Sequence, residues 1–111
     1  MSELRAKLNL ETAQVRWVEL ARFFARGEAI FVDEALNLLD VAVAVAEDRN
    51  DEVAGWMSAR QVLPVPDEQA LVWQEADALV WTVVVRPWVL VQSPEATPPE
   101  QSSGGARPAP P

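Results

Sequence analysis

No cysteine, histidine or tyrosine occurs in this 111-residue chain, and lysine occurs once, at Lys7. Each absence closes a branch of chemistry. Without cysteine there is no disulfide framework and no thiolate nucleophile. Without histidine the side chain that titrates near neutral pH is missing, and so is the commonest metal ligand. Glycine is scarce as well. Of the four, Gly104 and Gly105 fall in a Pro-rich segment, and neither phosphate-cradling pattern, G-x-x-x-x-G-K or G-x-G-x-x-G, is present.

What remains is apolar and acidic. Half of the residues are hydrophobic, enough to build a core. Nine basic against 17 acidic groups leave a formal charge of −8, which repels polyanions and accommodates basic or neutral partners. The longest apolar stretches, Val41–Ala46 and Ala78–Val85, are far shorter than the ~20 residues of a membrane span. Met1-Ser2-Glu3-Leu4-Arg5-Ala6-Lys7 has no apolar leader region, so a cytoplasmic protein is expected.

The composition changes at Ser93. Residues 93–111 hold six of the nine prolines and no large apolar side chain, which predicts a disordered tail after one domain over residues 3–92. Within that domain, residues 3–13 are rich in helix formers, with Ser2 as N-cap and Leu4 and Leu8 on one face. Trp17, Leu20, Ala21 and Phe24 follow the i, i+3, i+4, i+7 pattern of a second helix, stopped by Gly27. Residues 28–32 are strand-prone, and Asp33 is placed to cap a following helix. In the run 36–47, Val/Ala alternation suggests a strand. Asn37, Asp40, Ala44 and Glu47, however, fall at helical spacing, which predicts a largely buried helix with one narrow polar stripe. Asp48 and Asn50 are candidate caps for another helix, with Val53, Trp56 and Met57 on one face. Pro64 and Pro66 restrict Val62–Val65 to an extended, non-central piece. Asp67 is placed to cap a helix bearing Ala70, Leu71 and Trp73. Residues 79–92 read as two strand segments, with Pro87 as a bulge or an edge.

The ordered set Leu8-Asn9-Leu10-Glu11-Thr12-Ala13, Trp17-Val18-Glu19-Leu20, Phe23-Phe24-Ala25-Arg26-Gly27, Leu39-Asp40-Val41-Ala42, Ala46-Glu47-Asp48, Trp56 and Pro87-Trp88-Val89-Leu90-Val91-Gln92 resembles the bacterial family Domain of Unknown Function 2288. The likeness spans about residues 4–92. It departs at Arg60-Gln61, where a glycine is expected to end the helix. The resemblance implies a fold and a bacterial cytoplasmic setting, and it carries no activity.

Several constellations bear on function. Residues 36–60 and the strand segments after them have the order of a helix-turn-helix with a wing. The would-be recognition helix opens with Asn50-Asp51-Glu52 behind Glu47-Asp48, and only Arg49 and Arg60 offset those carboxylates. DNA binding needs phosphate neutralisation, so the pair reads as a packing or protein-contact element. The same carboxylates lack the alternate spacing and glycine of a cation loop. Asp40, on its nearly apolar helix, is the one carboxylate placed for acid–base work, against the simpler reading that it lies on the polar stripe. Ser58 has no base nearby in sequence, and Lys7 reads as a solvated side chain. Trp17, Trp56 and Trp73 lie on helical apolar faces and belong to the core. Trp81 and Trp88 flank Arg86-Pro87 on the terminal strands, where a proline suggests an edge.

The sequence therefore predicts an α+β domain of several short helices on a small, mainly antiparallel sheet, with a winged-helix-like arrangement as a variant. The expected role is a non-enzymatic protein-binding or regulatory module without cofactor or metal, meeting a protein partner or a second copy as a homodimer, and neither nucleic acid nor membrane. Arg86 and Trp88 are its candidate contact surface. A nucleic-acid-related winged helix and a carboxylate-based enzyme are the alternatives.

Overall fold

The computed structural model describes residues 3–96. Five α-helices and a five-stranded mixed sheet form an α+β fold, with the sheet mostly antiparallel. In chain order the elements are α1 (Glu3–Glu11), β1 (Ala13–Arg16), a 3₁₀ turn (Trp17–Leu20), α2 (Ala21–Ala25), β2 (Ala29–Val32), α3 (Leu38–Ala46), α4 (Asn50–Ser58), β3 (Val62–Pro64), α5 (Asp67–Ala76), β4 (Leu79–Val85) and β5 (Trp88–Gln92). The strand order is β1-β4-β5-β2-β3, and only β2 and β5 run parallel. Ser2, the expected cap of α1, and residues 97–111, most of the expected tail, lie outside the described residues. The fold continues past Gln92, since Ser93 and Ala96 are buried and Ala96 N–H donates to Ser93 C=O at 3.0 Å.

Helices cover both faces of the sheet, which explains why β4 and β5 read as nearly unbroken apolar runs. Alternation divides them cleanly. Val83 of β4, Leu90 of β5, Val32 of β2 and Val62 of β3 turn to α1 and α3, joining Leu8, Leu38, Leu39, Val41 and Ala42. Val80, Val89, Val91 and Ala29 turn the other way, onto Trp17, Leu20, Ala70 and Trp73. Each fully buried leucine or valine contributes roughly 1.5–3 kcal/mol relative to exposure, so these two clusters hold the three layers together.

Several boundaries differ from expectation, each for a physical reason. The first helix stops at Glu11, and Ala13–Arg16 becomes an edge strand paired with β4 through Ala13↔Thr82 and Val15↔Val80. Residues 17–26 do not form one helix. A 3₁₀ turn buries Trp17 and Leu20, and the short α2 then leaves Ala21 exposed and Phe23 and Phe24 half-buried. Asp33 does not cap α3; its Oδ1 accepts from Ala35 N–H at 2.8 Å in the preceding loop. The cap is Asn37, whose Oδ1 accepts from Leu39 N–H at 2.8 Å and Asp40 N–H at 3.2 Å. Asn37 thus leaves the expected polar stripe, and Ala44 is buried, so only Asp40 and Glu47 remain outside. Neither Asp48, Asn50 nor Asp67 supplies a side-chain cap to α4 or α5. Leu71 is 56% exposed and does not join Ala70 and Trp73 in the core.

Four helix ends share one device. After α2, α3, α4 and α5 the residues Gly27, Asp48, Arg60 and Asp77 take φ values of 76°, 57°, 60° and 49°. At each, the next residue's N–H reaches back five positions, as in Glu28→Phe23, Arg49→Ala44, Gln61→Trp56 and Ala78→Trp73. This is the Schellman closure, which favours glycine because a left-handed backbone crowds any Cβ. Aspartate tolerates it; an arginine pays the full steric cost. Replacing Arg60→Gly is therefore expected to stabilise the fold by about 1 kcal/mol, read as a rise in urea midpoint at unchanged slope.

Candidate functional site

The β4–β5 hairpin turns through Arg86-Pro87, joined by a cis peptide bond, with Val85 paired to Trp88. The proline sits in the turn and not at a sheet edge, and β5 is an interior strand between β4 and β2. Trp88 is the first residue of β5, one row below Leu90 on the α3 face. Its exposure is 40%. Trp81, by contrast, is half-buried against the α1–α3 core.

Trp88 forms one wall of an apolar groove of about 360 Å³. Gly27 and Ile30 come from the β2 side, Val45 from the end of α3, and Val53 and Met57 from α4. Met57, assigned from its spacing to the packed face of α4, is instead 52% exposed. Asp48, in the connection from α3 to α4, and Asn50, the first residue of α4, form the polar rim. Of the two candidate contact residues, Trp88 lines the groove. Arg86 is exposed in the adjoining turn and makes no ion pair among the described residues. Ile30, Val45, Val53 and Met57 were not singled out from sequence as surface residues. Their only signal is that α4 carries too few apolar positions to cover what α3 leaves open.

The α3–α4 connection and the first turn of α4 carry Glu47, Asp48, Asp51 and Glu52 around Arg49. Arg49 pairs with Glu47 at 2.7 Å and Glu52 at 3.4 Å. The Glu47 charge, reinforced by hydrogen bonds to Glu47 and Glu52, holds the guanidinium pKa above its ordinary value. The one arginine on this corner is thus engaged by its own neighbours. Asp40, the residue placed by sequence for acid–base work, is on the surface and pairs with Arg5 at 2.7 Å. With the Asp40 side chain 57% exposed, this bridge contributes about 0–1 kcal/mol. Among the described residues no three Asp or Glu side chains are grouped to hold a metal ion. Lys7 and Ser58 are exposed on helices. No helix among the described residues is long and apolar enough to cross a membrane.

A second cleft, of about 510 Å³, lies between the end of α5 and the 93–95 turn, with Val72, Leu79 and Glu95 among its walls. Its lining mixes apolar and polar side chains, with Phe31 half-buried and Trp73 buried in its wall.

Fold and surface together define a small three-layer α+β domain with an apolar groove at one end of its sheet. The chain belongs to the family described as protein of unknown function (DUF2288), whose sequence profile matches residues 3–93. It is similar to the NMR solution structure of PA1075 from Pseudomonas aeruginosa, with 40% identity and a TM-score of 0.74 over 87% of this chain and 93% of that one. No curated protein matches the chain.

Proposed function

We propose that this chain is a non-enzymatic protein-binding module whose contact surface is the groove flanked by Trp88. The observation that carries the reading is the pairing of two large, solvent-facing apolar side chains, Trp88 and Met57, with a groove between them. Large aromatics and methionines are enriched at interface cores, and a pocket beside such an anchor is where binding energy concentrates. The chemistry available elsewhere favours the same conclusion. Histidine, cysteine and tyrosine are missing, and Asp40 is engaged with Arg5 on an open surface. The role is carried out in the bacterial cytoplasm.

Affinity purification from the native host tests this reading when run on matched variants. Trp88→Ala removes the anchor. Leu10→Ala removes a side chain that is 86% exposed and lines neither of the two clefts described above. Partners recovered with the natural chain are expected to survive Leu10→Ala and to fall by about tenfold with Trp88→Ala, as for a hot-spot truncation. Equal recovery with both variants would remove the groove from the account.

A further inference from the structure

We propose that the groove seats a cationic amphipathic helix of a partner protein, with its apolar side chains against Trp88, Met57 and Val53 and its lysines or arginines against Asp48 and Asp51. The proposal rests on the reading of this surface as a protein contact and adds the chemistry of what docks there.

Charge selects the sign of the partner. Arg49 is taken up by Glu47 and Glu52, which leaves Asp48 and Asp51 without an ion pair among the described residues. Asp48 lines the groove, and Asp51, in the first turn of α4, shares an adjoining polar hollow with Asp48 and Arg49. An unpaired carboxylate on the groove and a second in the hollow next to it attract cations and repel anions. A second copy of this chain would bring −8 against −8, a net repulsion that a cationic partner does not meet.

Geometry selects a helix. The nearest sheet edge is β3, and an extended partner strand would need its outward donors and acceptors. The N–H of Asp33 donates to Gln61 C=O and that of Val65 to Ala29 C=O, so positions 61 and 65 face β2. By the two-residue period of a strand, Val62 and Pro64 face outward, and Pro64 has no N–H to give. Strand addition is blocked at that position. Side-chain insertion remains, and a groove of about 360 Å³ takes the few anchors that one face of a helix presents.

The test uses the full chain and four synthetic peptides of about 18 residues, long enough for five helical turns. One is a Leu/Lys amphipathic helix, the second and third are its Leu/Glu and Leu/Gln counterparts, and the fourth is a Leu/Lys isomer with the apolar face scrambled. Calorimetric titration at low salt is expected to show the Leu/Lys helix binding at least about tenfold tighter than the other three. Raising the salt to several hundred millimolar weakens it. Asp48→Asn with Asp51→Asn is expected to cost about tenfold, asparagine being the residue that keeps the left-handed backbone at position 48. Trp88→Ala and Met57→Gln each cost about tenfold, Trp88→Phe restores most of the loss, and melting curves show that all variants fold.

If the four peptides bind alike, or the Asp pair does not matter while Trp88→Ala still does, the cationic assignment is overturned and the contact surface stands. Should Trp88→Ala and Met57→Gln leave Leu/Lys binding untouched, both fall. A dimer in light scattering that Trp88→Ala dissolves, with no peptide bound, makes a second copy the occupant. Peptide binding that appears only after removal of residues 97–111 makes that segment the occupant. Either result overturns the proposal.

Discussion

Replacing Gln92→Ala is expected to destabilise the protein by about 3–5 kcal/mol, a large share of the stability of a domain this size. Gln92, the last residue of β5, is 0% exposed. Its Nε2 donates to Asp33 C=O at 2.9 Å and to Leu36 C=O at 2.7 Å, fixing the loop that leads into α3. Truncation leaves Leu36 C=O without this donor, at about 1–3 kcal/mol, and opens a cavity beneath the loop, while Asp33 C=O keeps the Leu36 N–H at 3.0 Å. The Oε1 atom already lacks a partner. Gln92→Glu should therefore behave distinctively. A carboxyl at this position faces two carbonyl oxygens and can donate only when protonated, so burial and its neighbours push its pKa above the ordinary glutamate value. With the folded pKa raised, the variant approaches the natural protein below about pH 4 and falls behind as pH rises through the raised value. Urea unfolding of both proteins at mildly acidic and neutral pH checks this. An equal deficit at both would contradict the account of the side chain as an obligatory donor.

Trp73→Ala carries the other large effect, about 3–5 kcal/mol. Trp73 is 4% exposed, and its ring lies 5.2 Å from Trp17 and 6.1 Å from Phe31, centroid to centroid. It thus joins α5, the 3₁₀ turn and β2 through one side chain. Two residues away on the same helix Leu71 faces solvent, and Leu71→Ala is expected to change stability by less than about 0.5 kcal/mol. Chemical unfolding of the two variants separates them. Comparable losses would mean that α5 presents a different face to the sheet.

These contrasts show what the sequence made legible. Trp17 and Trp73 were readable as core because each sits in a helical apolar pattern, and both are buried. The helix over 36–47 was readable from the spacing of Asn37, Asp40, Ala44 and Glu47, and α3 forms over Leu38–Ala46, although Asn37 caps it and Ala44 is buried. The first strand was not. Ala13, Gln14 and Arg16 are exposed, Val15 is half-buried, and nothing local marks them as a strand. Pairing with residues 79–82, more than sixty positions away, makes them one. In sequence the start of α3 reads from Asp33, with Asn37 on the polar stripe, whereas in the fold Asn37 is the cap and Gln92 holds the loop between them through Asp33 C=O and Leu36 C=O. Helix ends were legible where glycine marks them, at Gly27, and hidden where Asp48, Arg60 and Asp77 adopt the same left-handed turn.

The candidate surface was half legible. Trp88 drew attention as an aromatic beside Arg86-Pro87, and it does face solvent. The stated reason, an edge strand, was not the cause, because β5 is interior. Its groove partners could not be found from one sequence. Val45, Val53 and Met57 lie on helices whose apolar faces look like ordinary packing until the sheet register shows which row of side chains is left uncovered.

Photo-crosslinking in the native host tests the central claim most directly. A benzophenone side chain is placed in turn at positions 57, 88 and 71, the last on the exposed apolar face of α5 beside Val72. The groove predicts a shared protein adduct from positions 57 and 88 and none from 71. Adducts from 71 alone, or from none of the three, would contradict it.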